Sequence, residues 1–120
     1  IAGRPEVIVW GTGQPRREFL FVDDMADACI FLLKHYSGDS HVNVGTGTDL
    51  TIREFAELVK RTVNYEGRIA YDTSRPDGMA RKLLDVSMLT SMGWKSRTSL
   101  EDGLARYYEW FLANSSIARH

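Results

Sequence analysis

Six cations and one indole stand at turn-rich places in this 120-residue chain. Arg16 and Arg17 follow Gly13-Gln14-Pro15, Arg68 follows Gly67, and Arg75, Arg81 and Lys82 flank Pro76-Asp77-Gly78. Guanidinium groups hold phosphate oxygens through two parallel hydrogen bonds, and lysine adds a mobile point charge, so such a set suits a diphosphate. Trp10, at the end of an apolar run, offers a sugar or base one flat face and one donor. Taken singly, each cation also fits an ordinary surface position and Trp10 fits a core, which are the commoner fates of these residue types.

Other chemistries find no footing. Gly11-Thr12-Gly13 begins a dinucleotide turn, but Pro15, Arg16 and Arg17 stand where a third glycine and a helix are required, and Gly45-Thr46-Gly47 fails in the same way. His35, His41 and His120 lack the paired spacing of zinc ligands, so no metal is expected. Asp23-Asp24 reads as a helix start rather than a carboxylate pair. Cys29 lies in an apolar helical stretch, where it reads as a small buried hydrophobe. No catalytic residue is assigned.

The elements that must position these groups alternate in type. Glu6–Trp10 predicts a strand, Arg17–Val22 a second extended stretch, and Asp23-Asp24 the cap of a helix through Leu33. His41–Gly45 alternates like a short strand. Thr51-Ile52-Arg53-Glu54 fits a capping box, and Ile52, Phe55, Ala56, Val59 and Val63 then recur at helical spacing. Residues 67–72 predict another strand, and Asp85 a short helix stopped by Gly93. Thr98-Ser99-Leu100-Glu101 predicts a second capping box before a helix buried along Leu100, Leu104, Tyr108, Phe111 and Leu112. The expected fold is mixed α/β, with short strands and about four helices.

Length suits one domain, residues 1–120. Fifteen Lys and Arg against sixteen Asp and Glu leave a net charge of −1, so no global field draws nucleic acid or an anionic membrane. No apolar run is long enough to span a bilayer, no signal peptide opens the chain, and one cysteine favours a reducing, cytoplasmic setting. The first two strand candidates lack a sheet of their own, which suggests a partner domain upstream.

The run V-W-G-T-G-Q-P-R-R-E-F-L-F-V-D-D-M-A-D-A, followed by H-V-N-V-G-T-G-T-D-L-T-I-R-E-F-A-E-L-V, resembles the C-terminal half of extended short-chain dehydrogenase/reductases acting on nucleotide sugars. The segment G-R-I-A-Y-D-T-S-R-P-D-G-M-A-R-K-L-L-D-V-S-M-L-T-S-M-G-W, with the tryptophan before Gly11, resembles the narrower GDP-L-fucose synthase family. That resemblance implies a substrate-binding portion whose Rossmann domain, NADP site and catalytic residues lie upstream, in a cytoplasmic homodimer formed through the upstream domain. It also implies that Trp10, Arg17, Arg68, Asp77 and Lys82 contact a GDP-sugar. Arg17 would hold the pyrophosphate, Trp10 would wall the sugar or ribose, and Arg68 with Asp77 would address the nucleoside. Many relatives carry G-T-P-R-K where this chain has Gly78-Met79-Ala80-Arg81-Lys82. A different nucleotide-sugar epimerase or dehydratase, or a non-catalytic nucleotide-binding module, is the competing reading.

Overall fold

The computed structural model describes residues 6–114; His120 lies outside them. Strand β1 (Glu6–Trp10) pairs in parallel with β4 (Arg68–Asp72), from Glu6 opposite Arg68 to Trp10 opposite Asp72. The short β2 (Arg16–Arg17) pairs antiparallel with β3 (Leu50–Thr51), and Arg16 bridges Arg81 on its other side. Helices α1 (Val22–His35), α2 (Ile52–Val63), α3 (Ser87–Ser91) and α4 (Leu100–Ala113) complete the order. Among the described residues this is the mixed α/β arrangement with four helices that the sequence predicts.

Local signals set three of these elements. A run of β-branched residues makes β1. The capping box of α2 forms in full: Thr51 Oγ1 accepts from Glu54 N, and Glu54 Oε1 accepts from Thr51 N. Asn64, in the left-handed region at φ 58°, ends that helix. Gly93 stops α3, its φ of 102° being open to glycine at little cost.

Elsewhere tertiary contacts override the local reading. Of the second extended stretch only Arg17 is paired, in a strand that begins one residue earlier at Arg16. Phe21, not Asp23 or Asp24, caps α1, and it does so without a side-chain bond. Asp24 is instead buried and accepts from Arg97 N, Thr98 N and Thr98 Oγ1, pinning the α3–α4 connection onto α1. With Thr98 so engaged, the cap of α4 falls one residue later: Ser99 Oγ accepts from Asp102 N. Residues 41–45 form no strand, because no described strand lies beside them. Val42 and Val44 rest against the Ala28, Leu89 and Trp94 cluster. Trp94 donates to Asp27 Oδ2 at 2.8 Å, tying α1 to the chain after α3. Cys29 is exposed, so it is not the buried hydrophobe that the sequence suggests. Phe111 and Leu112 are exposed as well, which shortens the inward face of α4 to the half-buried Leu100, Leu104 and Tyr108 around the buried Gly103.

The described residues bury few large apolar side chains. Exposed positions Val22, Met25, Ala26, Cys29, Ile30 and Leu33 recur at helical spacing along the outer face of α1. The radius of gyration, 16.9 Å, exceeds the about 14 Å of a compact domain this long. No helix is long and apolar enough to cross a membrane among the described residues.

A second carboxylate crosslinks the sheet side. Asp49 accepts from Arg16 Nε at 3.0 Å and from Arg81 Nε at 2.7 Å, with its side chain only 5% exposed. The Arg81 hydrogen bond, helped by Arg16, holds the Asp49 carboxyl below the usual aspartate value, although burial pushes it the other way.

Two outcomes are expected. Asp24→Ala leaves the N–H groups of residues 97 and 98 without an acceptor and lowers unfolding free energy by about 1–3 kcal/mol, read from urea denaturation; an unchanged midpoint contradicts the pinning role. Because Asp49 binds its proton less readily folded than unfolded, its contribution is complete above the unfolded value of about 3.9. That contribution drains away as the pH falls toward the lower folded value. The thermal midpoints of wild type and Asp49→Asn, separated near neutral pH, should therefore converge in acid; a gap independent of pH contradicts the assignment.

Candidate functional site

The candidate site lies where β1 and β4 end side by side, because parallel strands deliver both following loops to one edge. Gly11 N donates to Asp72 O at 2.9 Å, and the chain turns through Gly11 at φ 92° and Gly13 at φ 79°. Glycine is required at both positions on space as well as angle. A Cβ on Gly11 would stand 2.2 Å from Asp77 Oδ1, and one on Gly13 would stand 2.7 Å from the Tyr71 ring.

Asp77 clamps this turn. Its Oδ1 accepts from Thr12 N and its Oδ2 from Thr12 Oγ1, both at 2.8 Å. Arg53, in the first turn of α2, donates to Thr12 O at 3.1 Å and lies over the Tyr71 ring at 3.8 Å. The two loops thereby enclose a cleft of about 90 Å³ whose lining includes Trp10, Arg17, Asp77 and Gly78. At about 30 Å³ per water it takes a phosphate-sized group, not a whole nucleotide sugar.

Arg17 reaches this cleft from β2. Its Nη1 donates to Arg16 O at 2.7 Å and to Met79 O at 2.6 Å. Nε and Nη2 have no protein acceptor among the described residues, which leaves that edge of the guanidinium for a ligand. Gly78 makes room there, since a Cβ on it would sit 3.2 Å from Arg17 Nη2. Trp10 is 67% exposed at the mouth, a wall rather than core.

Three of the five residues singled out thus share one cleft. Lys82 follows the Arg16–Arg81 bridge, donates from its backbone N–H to Arg16 O at 3.1 Å, and exposes its side chain beside β2. The structure does not bring Arg68 to the cleft. It pairs with Glu6 at the opposite end of the β1–β4 ladder, four residues from Asp72 and therefore about 13 Å along the strand. Asp77 has both carboxylate oxygens engaged by Thr12, so its structural duty comes before any contact with a nucleoside.

The wider set of cations divides as well. Arg16 and Arg81 are bound to Asp49, and Arg75 lies over the Trp10 ring at 4.6 Å. The importance of Asp49 and Arg53 has no local sequence signal, because their hydrogen-bond partners Arg16, Arg81 and Thr12 are distant in the chain.

Neither glycine turn fits a dinucleotide cofactor. Gly11–Gly13 leads into β2, and the N-terminus of α2 is already occupied. Ile52 N donates to Pro15 O, Arg53 N to Gly13 O, and Glu54 N to Thr51 Oγ1. Among the described residues no group of three or more acidic, histidine or cysteine side chains is placed to hold a metal. A larger groove of about 810 Å³ lies elsewhere, between Phe19–Val22, Phe55 and the start of α4. Its lining has no Lys or Arg and includes Asp49, so it offers a diphosphate no cation.

Residues 1–45 match the NAD dependent epimerase/dehydratase family. GDP-L-fucose synthase 1 of Arabidopsis thaliana is 57% identical over 114 residues, 95% of this chain and 35% of that protein. A GDP-6-OMe-4-keto-L-xylo-heptose reductase from C. jejuni superposes with a TM-score of 0.83 at 39% identity, covering 91% of this chain and 34% of the other. A GDP-L-fucose synthetase from Naegleria fowleri bound to NADP has a TM-score of 0.90 at 24% identity, over 96% of this chain and 37% of its own, which speaks for the fold. The chain spans about a third of the length of the curated relatives it matches. Along nearly its whole length this chain is similar to part of the GDP-L-fucose synthases, and its residues 1–45 match the NAD dependent epimerase/dehydratase family.

Proposed function

We propose that this chain is the GDP-sugar-binding part of a GDP-L-fucose synthase. Such a protein converts GDP-4-keto-6-deoxy-D-mannose to GDP-L-fucose by 3,5-epimerisation and NADPH-dependent reduction. The observation that carries the proposal is the phosphate-sized cleft that Trp10 and Arg17 both line, with Nε and Nη2 of Arg17 not engaged by any described residue. The 57% identity to a protein of that name supports it.

In this reading Arg17 takes two oxygens of the pyrophosphate, Lys82 adds charge from the neighbouring register position, and Trp10 packs on the sugar or ribose. Anchoring the diphosphate holds the hexose at a fixed distance from the reacting groups, which turns binding energy into orientation. Arg68 lies outside this phosphate-sized cleft, its exposed guanidinium paired with Glu6, and is kept as the contact for the nucleoside end. NADP and the epimerase and reductase residues belong to a Rossmann-type domain outside this chain. The α2 N-terminus, with its donors satisfied, supports that division. The apolar stripe on α1 is where that domain would sit.

Two measurements test this. Calorimetric titration should show GDP binding in preference to UDP and dTDP, and Arg17→Ala should weaken GDP roughly 10- to 100-fold while NADP affinity of the complete enzyme stays as it was. Equal binding of UDP redirects the reading to another nucleotide-sugar epimerase or dehydratase, and an unchanged GDP affinity in Arg17→Ala removes Arg17 from the site. For the stripe, Ile30→Lys with Leu33→Lys should reduce self-association of the isolated chain in sedimentation runs without loss of helical signal. Unaltered association means that the α1 face is not a sticky surface.

A further inference from the structure

Resting on the reading of Trp10 as a ligand wall, we infer that Arg75 is the positioning residue of that wall, holding the indole at the angle at which the cleft uses it. Trp10, Asp72 and Arg75 form a closed circuit. Trp10 and Asp72 are register partners at the ends of β1 and β4. Asp72 Oδ2 lies 3.7 Å from Arg75 Nε, and Arg75 N donates to Asp72 O at 3.2 Å, so the strand that flanks the tryptophan also holds the arginine. The arginine closes the circuit, its Cζ lying 4.6 Å from the centroid of the Trp10 ring. Its backbone is tied down on both sides. Ser74 N and Oγ donate to Asp72 Oδ1, and two residues beyond Arg75 the Asp77 clamp grips Thr12.

Trp10 lines the cleft and Arg75 does not. An indole that is 67% exposed has few packing neighbours to choose its rotamer, so the guanidinium stacked on it is the principal restraint on the ring. A ring already held loses less freedom when a ligand packs on it, and that difference is expressed as affinity. The role differs from that of Arg17, which the proposed function assigns to the diphosphate directly.

The test is a set of GDP titrations on wild type, Arg75→Met, Arg75→Lys, Trp10→Leu and the double variant Arg75→Met/Trp10→Leu, with near-ultraviolet circular dichroism of each ligand-free protein. Arg75→Met should weaken GDP about three- to five-fold and lose part of the tryptophan dichroism, at an unchanged thermal midpoint. Arg75→Lys, which keeps a cation over the ring, should recover part of both. In the Trp10→Leu background the Arg75→Met change should have no further effect, because there is no ring left to hold. An Arg75→Met protein with unchanged or tighter GDP binding overturns the inference, as does a loss that persists in full without Trp10. If wild type binds no GDP, the function proposed above fails; the dichroism still decides the positioning claim, upheld by loss of the tryptophan signal in Arg75→Met and overturned by its retention.

Discussion

One carboxylate sets the geometry of the site. Asp77 takes both polar hydrogens of Thr12 across 65 residues of chain, and in doing so fixes the loop after β4 against the loop after β1. The parallel pairing of the two strands puts both loops at one edge, and this grip, joined by the Arg17–Met79 and Lys82–Arg16 hydrogen bonds, closes them into a cleft. The grip needs Gly11, since a side chain there would collide with the carboxylate. It also brings Gly78 beside the Arg17 guanidinium, where the absence of a side chain leaves the Nη2 nitrogen accessible. The position of Trp10 at the mouth follows from its place as the last residue of β1.

Charge is distributed around this clamp by pairing. A net charge of −1 means that any pull on an anion must come from cations left over after local neutralisation. Asp49 absorbs Arg16 and Arg81, Glu6 absorbs Arg68, and Asp23 pairs with Arg106 at the start of α1. Glu18 accepts from Gly47 N and Thr46 Oγ1, spending its own charge on holding a neighbouring turn. Arg17, next to a buried-carboxylate network but outside it, keeps a free edge, with Lys82 beside it. The cation that the cleft can use is defined as much by what binds the others as by its own position.

The parts of the fold that are legible in the sequence are those whose causes are local. A β-branched run, a Thr-x-x-Glu box and a glycine stop operate within a few residues, and β1, α2 and the end of α3 follow the reading. Asp24 and Thr98 illustrate the opposite: each has the chemistry of a cap, yet they bind each other across 74 residues, and both helix starts shift accordingly. Residues 41–45 have the alternation of a strand but no neighbouring strand to pair with. Cys29 and Ile30 carry the apolar character of a core and face outward, because α1 has two apolar faces and the described residues cover only one. At the site, Trp10 and Arg17 are legible because they flank one turn, whereas Arg68 depends on strand register, and register is not written in residue type. Asp77 is recognisable as an important acid, but its duty as a clamp emerges only when the partner loop is placed.

The most direct measurement uses the chain's own reporters. Its three tryptophans lie in different environments: Trp10 at the cleft, Trp94 buried and bonded to Asp27, and Trp110 on α4. In a proton–nitrogen correlation spectrum titrated with GDP, the indole resonance of Trp10 should move progressively to saturation while those of Trp94 and Trp110 stay in place. A titration in which GDP leaves Trp10 unmoved, or shifts Trp94 or Trp110 in its stead, would contradict the assignment of this cleft to a nucleotide sugar.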